Sequence, residues 1–239
     1  MDDLRLQPLP HPFAPVIAAL EQARELDAPL NERMGLIAKA VRAVSSEFAD
    51  AVDVFVGRLK AARAGADAPQ VGDPMPPFLL PDETGRLTSL KSLLGQGPLV
   101  IAFHRGHWCP YCRLNAAALA QSAERLGPAR LVAISPELQK HGAELKAEAG
   151  ADFAILSDMD NGYALSLNIA IWVDDAMAAL IDAAGWSIPD YNGANSWVLP
   201  IPATFVVGSD GIITARDIDT DYRRRMDLDA LAEAIARTR

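Results

Sequence analysis

The stretch that decides the fold is Leu99-Val100-Ile101-Ala102-Phe103-His104-Arg105-Gly106-His107-Trp108-Cys109-Pro110-Tyr111-Cys112. Its first five residues are apolar and β-prone, which reads as a buried strand. Gly106 punctuates a short connection, and the run from Pro110 to about Leu126 has helical character. Proline suits the first helical position, so the helix begins near Pro110 and Cys109 falls at its N-cap side. Unpaired backbone N–H groups gather there and favour a negative charge. Cys109 and Cys112 are the only cysteines in the chain. Two thiols two residues apart at a helix start form a chemical device: the helix end stabilises a thiolate, and the second sulfur can close a disulfide on the first. Helix position alone favours Cys109 as the attacking sulfur, with Cys112 one turn in as the alternative. Arg105 adds positive charge nearby, and His107 is a candidate for moving protons.

Outward from this core the pattern alternates. Leu131–Ile134 is a strand, 137–149 a helix, and Phe153–Leu156 a short strand. Residues 160–200 are mixed, with Trp172, Trp186, Tyr191 and Trp197 either walling a pocket above the cysteines or filling the core of a long loop. Thr204–Val207, the turn Gly208-Ser209-Asp210-Gly211 and Ile212–Ala215 form a hairpin, and Leu228–Arg237 a closing helix. This order implies an α/β fold with a mixed central sheet flanked by helices. Before it, apolar residues repeat at helical spacing from Pro15 to about Ala64, with Asn31 placed to cap the second helix. The expected division is a helical extension over 1–68 and an α/β domain over 69–239, joined by a Gly/Pro/Asp-rich stretch. The apolar faces of the extension pack on the rest of the chain or form a homodimer interface.

Composition narrows the function. The 239 residues are half hydrophobic, with a formal charge of −9. That balance disfavours nucleic acid and anionic membrane partners. No apolar run approaches the roughly 20 residues of a membrane span. The start, Met1-Asp2-Asp3 followed by Pro8, Pro10 and Pro12, lacks a signal-peptide layout, so a cytoplasmic location is expected. In a reducing compartment, neighbouring cysteines are catalytic or metal-binding more often than structural. His104, His107, Cys109 and Cys112 are zinc-ligand types, but a strand end plus a helix start is an unusual ligand layout, and no metal is expected. No nucleotide-binding glycine fingerprint is present, and no cofactor is expected. His11 and His141 read as surface histidines.

The order of strand, Trp-Cys-Pro-Tyr-Cys, helix and, much later, Ile201-Pro202-Ala203-Thr204-Phe205 resembles the thioredoxin fold. The resemblance implies a cis peptide before Pro202, beside the sulfurs. A closer likeness is to the peroxiredoxin-like (AhpC/TSA-type) proteins. It rests on Val71–Leu80, Phe103–Cys112, the stretch from Asn192 to Phe205, and Asp221-Tyr222-Arg223-Arg224-Arg225. It implies a thiol peroxidase that reduces hydrogen peroxide or organic hydroperoxides through a Cys109/Cys112 redox pair. Arg105, Trp108, His107 and Pro202 would support that pair, and a thioredoxin or glutathione system would recycle it. The pattern departs from the family in three ways. Aligned without gaps, Cys112 takes the attacking position, Cys109 replaces the usual threonine three residues before it, and the usual arginine falls near Pro202. His104 stands where this subgroup carries a tyrosine. Two other readings follow: a thioredoxin-like disulfide oxidoreductase acting on protein partners, and a non-enzymatic binding module.

Overall fold

A computed structural model of the chain describes residues 13–94, 97–127 and 129–238. The sequence reading of His11 and of the first twelve residues lies outside them. Three helices come first: α1 (Ala14–Glu25), α2 (Leu30–Val44) and α3 (Ser46–Ala61). Ser45 caps α3 by accepting a hydrogen bond from the Phe48 amide at 3.1 Å. Asn31 is not the cap of α2; Pro29 holds that position. Asn31 instead clips a distant loop, donating to the Arg225 carbonyl at 2.9 Å and accepting from its amide at 3.0 Å. The Gly/Pro-rich stretch that follows is pinned to the sheet rather than free, with the Gly72 amide donating to the Ile213 carbonyl at 2.8 Å.

The second part begins with a small hairpin, β1 (Leu79–Pro81) and β2 (Leu87–Ser89), and a short helix α4 (Leu90–Leu94). Then come β3 (Leu99–Phe103), α5 (Pro110–Gln121), β4 (Arg130–Ser135), α6 (Gln139–Ala149) and β5 (Ala154–Ser157). The 160–200 region holds α7 (Gly162–Ser166), β6 (Ala170–Trp172), α8 (Asp175–Ala183), α9 (Ile188–Asn192) and β7 (Val198–Pro200). The chain closes with β8 (Ala203–Val207), β9 (Ile213–Ile218) and α10 (Leu228–Arg237). The main sheet runs β5-β4-β3-β8-β9. β3 is parallel to β4 and antiparallel to β8, and β8 is antiparallel to β9. This is the thioredoxin fold, and it sends the segments after β3, β4 and β9 and the one before β8 to a single sheet edge.

No peptide among the described residues is cis, so the expectation of a cis bond before Pro202 is not met. The chain instead runs on from the β6–β7 ladder into β8, with the Ile201 amide donating to the Ile169 carbonyl at 2.7 Å. Pro202 still reaches the site edge, because its neighbour Ala203 is the register partner of Phe103.

Helix α5 is buried on opposite sides, which is why its apolar residues show no narrow stripe. Ala116 and Leu119 pack with Val100 and Ala102 of β3. Leu114, Ala118 and both cysteines share a core with Val16, Leu20, Met34, Ile37, Phe48 and Val52 of the first three helices. Those helices therefore lay their apolar faces on the chain's own redox helix.

Candidate active site

Cys109 is the N-cap residue of α5 and Pro110 opens the helix, as the sequence implied. Both sulfurs are buried, however: Cys109 is 1% exposed and Cys112 is fully enclosed. The two cysteines approach to 3.6 Å and are unbridged. A modest closing movement takes them to the roughly 2.05 Å of a disulfide.

The electrostatics separate the two thiols. Cys112 accepts a hydrogen bond from the Arg105 amide at 3.3 Å and one from Arg225 Nη2 at 3.4 Å. Burial pushes its pKa up, but the Cys109 thiol, the Arg225 cation and the Arg105 amide outweigh burial and hold Cys112 well below an ordinary thiol. Burial, with the neighbouring Cys112, pushes Cys109 well above one. These directions favour Cys112 over Cys109 as the thiolate of the pair. The helix N-terminus alone favoured Cys109. That argument lacked Arg225, which arrives from the loop after β9.

Arg105 is buried, with its guanidinium 3.8 Å from the centre of the Tyr222 ring and 4.8 Å from that of Trp108. Among the described residues, neither Arg105 nor Arg225 is ion-paired with a carboxylate. Two buried cations thus lie beside the sulfurs with no carboxylate in direct contact among the described residues, a setting that favours thiolate. Arg225 is fixed from its own loop, donating to the carbonyls of Tyr222 and, at 2.6 Å, of Arg224.

His104, whose place in the pattern had no account, is fully buried. Its Nε2 bonds Asn115 Oδ1 at 3.0 Å, and burial lowers its pKa, so it is a neutral imidazole beside Cys112. His107 turns away from the sulfurs. Its ring meets Glu148 on α6 at 2.8 Å, and its amide donates to Glu137 Oε2 at 2.7 Å. Glu137, which follows β4, is buried and its pKa is pushed up to about 8, chiefly by burial. It packs against Gly106, where φ is +142° and an added Cβ would fall 2.5 Å from the Glu137 carboxyl, so the turn before the cysteines requires glycine.

Over Cys109 lies a crevice of about 20 Å³, room for about one water. Val41, Phe48, Trp108, Ile181, Trp186 and Tyr222 are among its walls. Of Trp172, Trp186, Tyr191 and Trp197, only Trp186 is one of these; Trp172 is exposed and Tyr191 packs at a tilt against His141. Sequence reasoning missed Arg225, Glu137 and the His104–Asn115 pair as site residues. Arg225 and Tyr222 were within reach, since both lie in the quoted Asp221–Arg225 motif. Glu137 carried no signal beyond its place after a strand.

Fold and site together define a thioredoxin-fold protein with a buried Cys-x-x-Cys pair, one sulfur hydrogen-bonded by two arginines. Residues 71–216 match the model of the AhpC/TSA family, and the chain belongs to that family. A Mycobacterium tuberculosis protein named "Putative peroxiredoxin Rv1608c" is 28% identical over 102 residues, 42% of this chain and 66% of that relative's length. Among solved structures, the chain superposes on peroxidoxin BcpB from Mycobacterium tuberculosis with a TM-score of 0.56 at 21% identity, covering 71% of this chain and 98% of the other. It superposes on the thiol peroxidase from Chromobacterium violaceum with a TM-score of 0.52 at 18% identity, covering 71% and 88%. At these identities the superpositions establish the fold.

Proposed function

We propose that the protein is a thiol peroxidase in which Cys112 attacks and Cys109 resolves. The observation that carries this reading is the Cys112 sulfur receiving the Arg105 amide and the Arg225 guanidinium while Cys109 sits 3.6 Å away. The family pattern asks for an arginine beside the attacking sulfur and a hydroxyl three residues before it. Arg225 supplies the cation from another strand end, and the Cys109 thiol supplies the donor.

In the first step the Cys112 thiolate displaces one oxygen of the hydroperoxide ROOH. The O–O bond breaks, Cys112 becomes a sulfenic acid, and the leaving alkoxide takes a proton to become ROH. Arg225 and the Arg105 amide offset the charge of the thiolate as it enters the reaction. In the second step the Cys109 sulfur attacks the sulfenic sulfur, water leaves, and a Cys109–Cys112 disulfide forms. Two electrons and two protons, from one thioredoxin-type dithiol or from two glutathione-type monothiols, restore the pair.

Once the helices covering it move to admit a substrate, the apolar walls of the crevice suit small organic hydroperoxides alongside hydrogen peroxide. Burial of both sulfurs weighs against the alternative of a disulfide oxidoreductase working on protein partners, whose bulky disulfides need an exposed thiolate. No described helix is long and apolar enough to cross a membrane. The proposed cycle needs a reducing compartment to restore the pair, which fits a cytoplasmic setting. The test is stopped-flow oxidation of the reduced protein by hydrogen peroxide and by an organic hydroperoxide, with sulfenic-acid trapping. Oxidation far faster than that of free cysteine, with the trap on Cys112 in the Cys109→Ser variant, is expected. A rate no better than free thiol rejects the peroxidase; trapping only on Cys109 in the Cys112→Ser variant reverses the two roles.

A further inference from the structure

A second cluster of reactive side chains lies outside the dithiol. His107 from the turn before α5 and His141 and Glu144 from the first turns of α6 each offer one ligand atom, and these atoms lie within 4.8 Å of one another. Glu144 Oε2 is 2.9 Å from His141 Nδ1 and 3.5 Å from His107 Nδ1. Ligand atoms sharing a tetrahedral ion at about 2.1 Å are themselves about 3.4 Å apart, close to these spacings. The set mixes imidazoles with a carboxylate, so it differs from the acidic clusters that decorate ordinary surfaces.

The surroundings of His107 point the same way. Its Nε2 bonds Glu148 Oε2 at 2.8 Å, and Glu148 is held from its other side by Arg113 at 2.8 Å and Arg24 at 3.1 Å. These bonds fix the Glu148 carboxylate in place behind the His107 ring. With Nε2 engaged by that carboxylate, Nδ1 is the ring nitrogen left facing Glu144, at 3.5 Å. A carboxylate behind a ligating histidine is the usual way of setting its tautomer and orientation. His141 is braced in turn by the Tyr191 ring, whose centre is 4.6 Å from its own. The imidazoles are half-buried and Glu144 is exposed, which leaves an entry path and room for a water on the ion.

We propose that His107 Nδ1, His141 and Glu144 bind one divalent transition-metal ion of zinc type, with Glu148 orienting His107 from behind and solvent completing the coordination. The site is distinct from the Cys109–Cys112 pair and replaces the sequence-level expectation of no metal. It also differs from the His104, His107, Cys109 and Cys112 set considered there, because His104 is turned inward onto Asn115.

The test is calorimetric titration of tag-free protein with Zn²⁺, run on the wild type and on a Cys109→Ser/Cys112→Ser variant that removes thiolate ligands, with Co²⁺ absorption as a second probe. One equivalent bound in the double variant, with cobalt bands free of thiolate charge transfer, is expected. His141→Ala and Glu144→Gln should abolish or greatly weaken binding, and Glu148→Gln should weaken it about 10- to 100-fold. Glu144 is exposed, so its variant keeps the test valid if His141→Ala folds poorly. Absence of binding, loss of binding in the double serine variant, or affinity untouched by Glu144→Gln each overturns the proposal.

Discussion

Cys112 and Arg225 are 113 residues apart in sequence and 3.4 Å apart in space. A cation at that range adds to the Cys109 hydrogen bond in lowering the Cys112 pKa and favours its thiolate. Arg225→Ala should raise the Cys112 titration midpoint, followed by thiolate absorbance, and slow peroxide attack about tenfold or more. Arg225→Lys should recover part of the loss, because charge remains while the fixed fork geometry is gone. An unchanged midpoint in Arg225→Ala would remove the arginine from the account. Glu137 yields a second prediction at this scale. Its carboxyl titrates near 8 in the folded chain and near 4.5 when exposed. The folded state therefore holds the proton more tightly. The stabilisation is complete below about pH 4.5, is lost as pH rises toward 8, and levels off above that. Melting temperatures across this window should fall more steeply for the wild type than for Glu137→Gln; parallel curves would contradict the assignment.

At the scale of elements, helices α1 and α2 pack on α5, and α2 and α3 wall the crevice over Cys109. Their periodic apolar residues were legible in sequence, but periodicity says only that a face must be buried, not against what. The structure lays Val41 and Phe48 on the crevice beside Cys109. Access to the sulfurs then requires movement of this cover or of α8, which supplies Ile181. Phe48→Ala should cost about 3–5 kcal/mol by leaving a cavity. It should also speed modification of the reduced thiols by an aromatic disulfide reagent under native conditions. Labelling as slow as in the wild type would mean the path runs elsewhere. The α5 N-terminus was correctly placed by Pro110, because proline fixes the first turn wherever the helix sits. Asn31 was misplaced as a cap because its side chain finds the Arg225 backbone, a partner that no local pattern reveals.

Across the whole molecule, the first three helices and the redox helix share one apolar cluster. The two parts of the chain should therefore unfold together. Urea transitions followed by tryptophan fluorescence and by far-ultraviolet circular dichroism should coincide; separate midpoints would show that the helical cover melts on its own. The sequence by itself determined the order of strands and helices, the α/β class, the helix start at the cysteines and the likeness to AhpC/TSA proteins. Each of these is written in short-range spacing, in turn chemistry or in a contiguous motif. Which sulfur the surroundings favour as thiolate is legible only in three dimensions, because long-range charge and burial bear on it. The sheet order β5-β4-β3-β8-β9 gathers four distant segments at one edge, bringing Arg225 to Cys112, Glu137 to Gly106 and Pro202 beside the site. Electrostatic energy depends on distance through space and on the exclusion of water, and neither is encoded in the neighbours of a residue along the chain.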